Sequence, residues 1–183
     1  MSRNLCLVGM MGAGKTTVAR ELGLRLGRRV VDTDDELRAW RQRSIPELFA
    51  EHGEEGFREL ERQVIEELAK LNDLVVSLGG GAVLRDDNVA SLVLSGVLVH
   101  LDADPDLLID RLRHEQADRP LLVGDLEERV RTTHAARVDR YREVADLTVD
   151  ASDDPETVAE AIIAWAMEQG DVLTPSEHEQ VMT

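Results

Sequence analysis

Apolar residues fall into short unbroken runs separated by longer stretches of helical periodicity. The runs predict strands over Asn4–Val8, Val30–Asp32, Leu74–Leu78, Val97–Leu101 and Leu147–Val149. Between them, apolar positions recur every three or four residues. Val18, Leu22 and Leu26 mark a helix from Thr16 to about Gly27, and a second helical stretch covers Asp35–Arg41. Ser44-Ile45-Pro46-Glu47 reads as a capping box with Pro at an early helix position. Phe57, Leu60, Val64, Leu68 and Leu71 share one face of a helix over about Glu54–Leu71. Further helices are predicted over Asp86–Leu94, Pro105–Arg113, Asp125–Val144 and Pro155–Met167. Continuous apolar strands alternating with helices predict an α/β fold of three layers. A five-stranded parallel sheet carries helices on both faces.

Right-handed crossovers put the C-terminal ends of such strands on one edge, and ligands bind there. Residues 1–169 read as a single domain. Within it, residues 114–124 form a polar loop and 170–183 a polar, mobile tail.

The apolar content of 43% suits a globular core in a chain of 183 residues. No apolar run approaches a membrane span and no signal-like start is present, so a cytoplasmic protein is expected. With 21 basic and 37 acidic residues the net charge is −16, which argues against nucleic acid and anionic membranes as partners. Only Lys15 and Lys70 are lysines. Genome composition explains this bias, and adaptation to high salt is the sharper alternative. The lone Cys6 sits inside the first strand as a small core residue. His52, His100, His114, His134 and His178 lack metal-ligand spacing, and Trp40 and Trp165 read as packing groups.

Against that background one segment changes the picture. Gly9-Met10-Met11-Gly12-Ala13-Gly14-Lys15-Thr16 places Gly, four residues, Gly, Lys and Thr between the first strand and the first helix. Such a loop turns backbone N–H groups and a helix N-terminus toward an anion. Lys15 can reach the outer phosphates of a nucleotide, and the Thr16 hydroxyl can bind Mg²⁺. Asp32-Thr33-Asp34 leaves the second strand on the same edge, supplying one carboxylate for metal support and one for an acceptor hydroxyl. Helix capping is the plainer use of such aspartates. Asp102 closes the fourth strand, but Asp102-Ala103-Asp104-Pro105 reads as a helix start, so metal support is assigned to Asp32. No Asn-Lys-x-Asp sequence occurs, which speaks against a GTPase. Gly79-Gly80-Gly81 after the third strand lets backbone approach a ligand closely. Arg119-Pro120-Leu121-Leu122, in the polar loop, reads as a lid carrying a guanidinium to phosphates.

These motifs, in this order and spacing, resemble the shikimate kinase family over about residues 4–150. The resemblance rests on Gly9–Thr17, Asp32-Thr33-Asp34, Ser44-Ile45 with Phe49, Phe57-Arg58-Glu59 with Glu61, Leu78–Ala82 and Arg119–Leu122. It implies a P-loop nucleoside-monophosphate-kinase-like fold, with a substrate-binding helical region at about 33–61. The implied reaction is ATP-dependent phosphorylation of the 3-hydroxyl of shikimate, on the route to chorismate and the aromatic amino acids. By motif, Gly12, Ala13, Gly14, Lys15, Thr16 and Thr17 would hold ATP, with Thr16 and Asp32 on Mg²⁺. Asp34 would bind the acceptor hydroxyls as base. Arg58 and Arg137, with the Gly79–Gly81 backbone, would hold the substrate carboxylate. Arg119 would close over the phosphates, and Ile45, Phe49, Phe57, Pro120 and Leu121 would line the ring pocket. The family precedent leans towards a monomer.

Three departures stand out. His114–Asp118 replaces a Gly-rich stretch, leaving either Arg111 or Arg113 for the adenine side. Asp139 stands where the family has Pro after Arg137, and Gln42 stands where Gly is common. A kinase for another small hydroxy acid such as gluconate, or a nucleotide-binding module without turnover, is the competing reading.

Overall fold

The computed structural model describes residues 2–115 and 126–182. Five parallel strands, β1 (Asn4–Val8), β2 (Arg29–Asp32), β3 (Leu74–Ser77), β4 (Gly96–Asp102) and β5 (Leu147–Asp150), form one sheet in the order β2-β3-β1-β4-β5. Every residue of β1 and β3 is buried, so helices cover both faces, as the unbroken apolar runs require. α1 (Lys15–Leu26) packs against α7 (Pro155–Glu168). α2 (Thr33–Arg41), α3 (Ile45–Leu68) and α4 (Asp86–Ser95) pack in succession. α5 (Pro105–Glu115) and α6 (Leu126–Val144) lie together at the C-terminal side of β4. No helix among the described residues is long and apolar enough to cross a membrane. Cys6 is a buried core thiol whose pKa burial pushes up to about 12.

Several local expectations change. The helices predicted around Ser44 and Glu54 are one element, α3, which bends where Gly53 takes φ 68°, ψ −178°. That conformation is open to Gly and ends regular hydrogen bonding for a turn. α3 stops at Leu68, so Leu71 lies outside it and is exposed. The capping box at its start is as expected: Glu47 N–H donates to Ser44 Oγ, and Glu47 Oε2 accepts from Ser44 N–H at 2.8 Å. Gln42 ends α2 at φ 54°, in the left-handed region that costs Gly least. Asp102 is not a cap. Asp104 caps α5 by accepting from Asp106 N–H at 2.8 Å, while Asp102 pairs with Arg142 at 2.8 Å. Trp165 packs on the core, but Trp40 is exposed beneath the Arg41 guanidinium, 4.0 Å from its ring centroid. The first two residues of the predicted lid, His114 and Glu115, are helical and end α5. The rest, including Arg119, Pro120 and Leu121, lies outside the described residues.

The largest correction concerns the C-terminus. Residues 170–182 are docked rather than a loose tail. Val172 and Leu173 are buried, and Thr174 with Glu177 forms a capping box that opens α8 (Pro175–Val181). Glu177 then reaches the buried Arg28, 149 positions away, in a two-pronged pair of 2.6 and 3.0 Å. The same guanidinium donates to Arg3 O, Ser2 Oγ and Val172 O, so its hydrogen-bonding capacity is matched by both chain ends. Burial pushes the Glu177 carboxyl up, but Arg28 and the Thr174 N–H outweigh it and hold its pKa below the ordinary value. Composition hid this because the segment's polar residues are satisfied by each other and by a distant partner.

Glu177→Ala leaves Arg28 buried beside no carboxylate. We expect it to cost about 3 kcal/mol or more, lowering the melting temperature by roughly 6–12 °C in a chain of this size. Because the Glu177 pKa is depressed, its contribution should be full at neutral pH and disappear on acidification through the carboxylate range. Thermal melts of both proteins against pH would show the gap closing in acid.

Candidate active site

The loop Gly9–Gly14 joins β1 to α1 and leaves Lys15 at the first helical position. Lys15 is half-buried and folds back over the loop, donating to Gly9 O at 2.9 Å and Met10 O at 2.8 Å. Burial lowers its pKa to about 8, opposed by the charges of Asp34 and Asp32. A cation held over this loop meets an incoming phosphate with little reorganisation.

Beside it, the register of the sheet assembles an oxygen cluster. Asp32 and Ser77 are direct partners across β2 and β3. Asp32 Oδ2 accepts from Ser77 Oγ at 2.9 Å and from Thr16 Oγ1 at 3.0 Å, and the two hydroxyls are 3.4 Å apart. Asp32 Oδ1 caps α2, accepting from Asp34 N–H at 3.0 Å and Asp35 N–H at 3.3 Å. The capping and metal-side readings of this carboxylate are therefore compatible, each using a different oxygen. An all-oxygen set with one carboxylate suits Mg²⁺, which keeps most of its ligands as water and phosphate. Among the described residues no group of three His, Cys, Asp or Glu could hold a metal by itself.

Asp34 follows on the first turn of α2 and lines the same cleft as Lys15. Its pKa is raised, by burial first and then by the Asp32 charge, with Arg38 and Lys15 opposing. Thr33 is buried and accepts from Gly79 N–H at 2.9 Å, which draws the triple-glycine turn against α2. At its first and third glycines that turn is approached closely by functional side chains. A Cβ on Gly79 would stand 2.9 Å from Glu61 Oε1 and 3.0 Å from Asp34 Oδ1, and one on Gly81 would stand 2.3 Å from Arg58 Nη2. These glycines serve close approach.

Arg58 projects from α3 after the Gly53 bend. It pairs with the buried Glu61 at 2.8 Å and lies 5.4 Å from the Phe57 ring centroid. Phe57 stacks on Phe49 with centroids 4.0 Å apart. Burial raises the Glu61 pKa despite its arginine partner, so the pair is desolvated and oriented. From α6, Arg137 donates to Gly80 O at 3.4 Å, and Tyr141 donates to the same oxygen at 2.6 Å. Lys15, Thr16, Asp32, Asp34, Gly79, Gly80 and Arg137 line a single cleft. On its other side, Arg111 shares a pocket with Gly12, Gly14, Thr17 and Ser152 and donates to Ala151 O at 2.8 Å. Arg113 turns instead to Glu127, at 3.1 Å. Asp139 is exposed, and its charge acts on Arg142.

The structure thus brings Gly12, Gly14, Lys15, Thr16, Thr17, Asp32, Asp34, Gly79, Gly80 and Arg137 to one cleft. Arg58, Phe49 and the buried Phe57 stand together behind the triple-glycine turn and do not line it. Ser77, Thr33, Glu61 and Tyr141 are added as partners. Glu61 had a signal, three residues beyond Arg58 on one helix. Ser77 had none, because its role depends on strand pairing.

Comparison with known proteins gives the same picture. The shikimate kinase family profile matches residues 11–167. The shikimate kinase of Neisseria meningitidis serogroup C (strain 053442) is 43% identical over 155 residues, 84% of this chain and 91% of that protein. The shikimate kinase of Dechloromonas aromatica (strain RCB) is 42% identical over 168 residues, 91% of this chain and 90% of that protein. The structure of shikimate kinase from Acinetobacter baumannii in complex with shikimate superimposes with a TM-score of 0.84 at 35% identity. It covers 93% of this chain and 96% of that one. A sugar kinase from Janibacter sp. HTCC2649 shares the fold alone, with a TM-score of 0.65 at 16% identity. With a family match across most of its length and relatives this similar nearly end to end, the chain belongs to the shikimate kinase family, whose enzymes use ATP.

Proposed function

We propose that this chain transfers the γ-phosphoryl group of ATP to the 3-hydroxyl of shikimate, giving shikimate 3-phosphate and ADP. The observation that carries this reading is one cleft lined by the anion-binding loop, Asp34, the Gly79-Gly80 backbone and Arg137, with Arg58 held by Glu61 behind the same glycine turn. Gly12–Thr17 would hold the ATP phosphates, with Arg111 on the adenine side. Thr16 and Asp32, supported by Ser77, would hold Mg²⁺, which when bound neutralises phosphate charge. Arg58 and Arg137 would take the substrate carboxylate, since two guanidiniums match a planar anion through paired hydrogen bonds. Glu61 fixes Arg58, and Tyr141 fixes the Gly80 carbonyl beside Arg137. The ring then lies between Phe49 and Phe57 on one side and the Gly79–Gly81 backbone on the other.

With the acid held there, its hydroxyl faces Asp34, whose raised pKa makes it a better proton acceptor than an ordinary aspartate. The hydroxyl oxygen attacks the γ-phosphorus in line, its proton passes to Asp34, and the bond to the β-γ bridging oxygen breaks. Lys15 faces the charge that gathers on the transferring group. Arg119 would add a second cation from the loop. The net charge of −16 supports a small-molecule acceptor over a polyanion, and the family resemblance supports a cytoplasmic monomer.

Asp34→Asn keeps the shape and removes the base. ADP release driven by shikimate should fall on the order of 100- to 10,000-fold. Full turnover in this variant would remove Asp34 from its role, and wild-type turnover only with another hydroxy acid would overturn the choice of substrate.

Arg58→Ala should raise the KM for shikimate roughly tenfold or more, the scale of one charge-assisted contact, with the KM for ATP within about twofold. Arg58→Lys should recover only part, because an ammonium cannot bind a carboxylate through two parallel donors. An unchanged shikimate KM would reassign this residue.

The pH profile of kcat/KM follows from two shifts in opposite directions. Asp34 must be ionised, so activity should fall in acid through a pKa above the ordinary aspartate value. Lys15 must be charged to attract ATP, so kcat/KM for ATP should decline as pH rises through about 8. In the kcat profile that alkaline limb should move to higher pH, since bound phosphates favour the charged amine.

A further inference from the structure

α6 carries five arginines, and they divide by environment. Arg131 pairs with Asp106 and Glu127, Arg140 with Asp86 and Glu143, and Arg142 with Asp102. Arg129 and Arg137 have no carboxylate partner among the described residues, and both line the cleft. In a chain of net charge −16, carboxylates lie within reach of most surface positions, so a guanidinium left to an anion-binding cleft is an exception to explain.

Helix geometry explains their common direction. Arg129, Thr133 and Arg137 recur every four residues, and all three line the cleft. Leu126 and Val130, also on its wall, are buried and fix the rotation of the helix. Two turns separate Arg129 from Arg137, about 12 Å at 1.5 Å per residue. Arg137 stands at the Gly80 end, where the carboxylate of the acid is read. Arg129 therefore stands at the other end of the cleft, which Met11, Gly14 and Lys15 of the phosphate loop also line. The separation matches an acceptor ring followed by one phosphoryl group. The other cations that line the cleft beside Arg129 and Arg137 are engaged: Lys15 over loop carbonyls and Arg38 with Asp35 at 3.0 Å.

We infer that Arg129 is a catalytic residue of the phosphoryl transfer, with its guanidinium on the non-bridging oxygens of the transferring group. This rests on the reading of the cleft as an ATP-dependent phosphotransferase site. The contact exists only when the nucleotide carries a third phosphate, and it strengthens as charge gathers on that group. A guanidinium suits this task because its donors match two oxygens of one phosphoryl group. Exposed and in no ion pair among the described residues, it can be removed without opening the core.

The test compares ADP with the imido analogue of ATP, both with Mg²⁺ and without shikimate, by calorimetric titration. The proteins are wild type, Arg129→Ala, Arg129→Lys and Arg131→Ala, the last as an α6 arginine outside the cleft. Arg129→Ala should weaken the imido analogue roughly tenfold while ADP affinity changes less than about twofold. In turnover, kcat should fall roughly tenfold or more, with the shikimate KM within about twofold. Arg129→Lys should recover part of both losses, and Arg131→Ala should match wild type. An unchanged ratio of the two affinities in Arg129→Ala overturns the assignment. So does a parallel loss for both nucleotides, or a loss confined to the shikimate KM. Wild-type protein that binds the imido analogue but does not phosphorylate shikimate overturns the acceptor reading alone. The affinity ratio still decides the place of Arg129.

Discussion

Asp32 divides its two oxygens between local and distant partners, and the site depends on that division. Oδ1 caps α2 and so fixes where Asp34 leaves the strand. Oδ2 gathers Thr16 from the phosphate loop and Ser77 from β3. Three chain segments are thereby held to one carboxylate at the C-terminal edge of the sheet. Parallel pairing makes this possible, since it brings the ends of β1, β2 and β3 to one side with their loops in contact. An Asn here could still cap, but it would add N–H donors where two hydroxyl donors must be received.

Desolvation is the second organising influence, and it acts on acids and bases in opposite directions. It raises the pKa of Asp34 and Glu61 and lowers that of Lys15 to about 8. The result is a proton acceptor and a cation that are both less strongly committed to their charges than in water. An anion entering this cleft would favour the charged form of Lys15, and the raised pKa of Asp34 makes it a stronger base than an ordinary aspartate. Arg58 and Glu61 are paired in the same desolvated surroundings, so the guanidinium is held in one orientation.

Away from the cleft, stability and function are kept apart. The Arg28–Glu177 pair joins both chain ends to the start of β2, on the side opposite the ligand-binding edge. α8 also returns to α1, where Gln180 donates to Arg25 O at 2.8 Å. α1 follows the Gly9–Gly14 loop directly, so the docked C-terminus steadies the element that carries Lys15 and Thr16. Cleft residues are then free to keep unpaired arginines and crowded glycines that a stability-driven surface would not retain.

The alternating pattern of strands and helices, the phosphate loop and the aspartates leaving β2 were legible because each is written within a few consecutive residues. Local periodicity and turn chemistry determine such features. The roles of Arg58 and Arg137 came from resemblance, since a helix arginine has no distinguishing local signal. Ser77 became part of the oxygen cluster only through its register opposite Asp32. Glu177 found its partner 149 residues away, which turned an apparently polar tail into a docked helix. Arg129 differs from Arg131 only in which side of α6 the buried Leu126 and Val130 leave open. Sequence by itself determined the elements, the anion-binding loop and the family. Tertiary structure decided which charges are paired, which are buried and which meet in the cleft, because desolvation and pairing depend on neighbours that only the folded chain supplies.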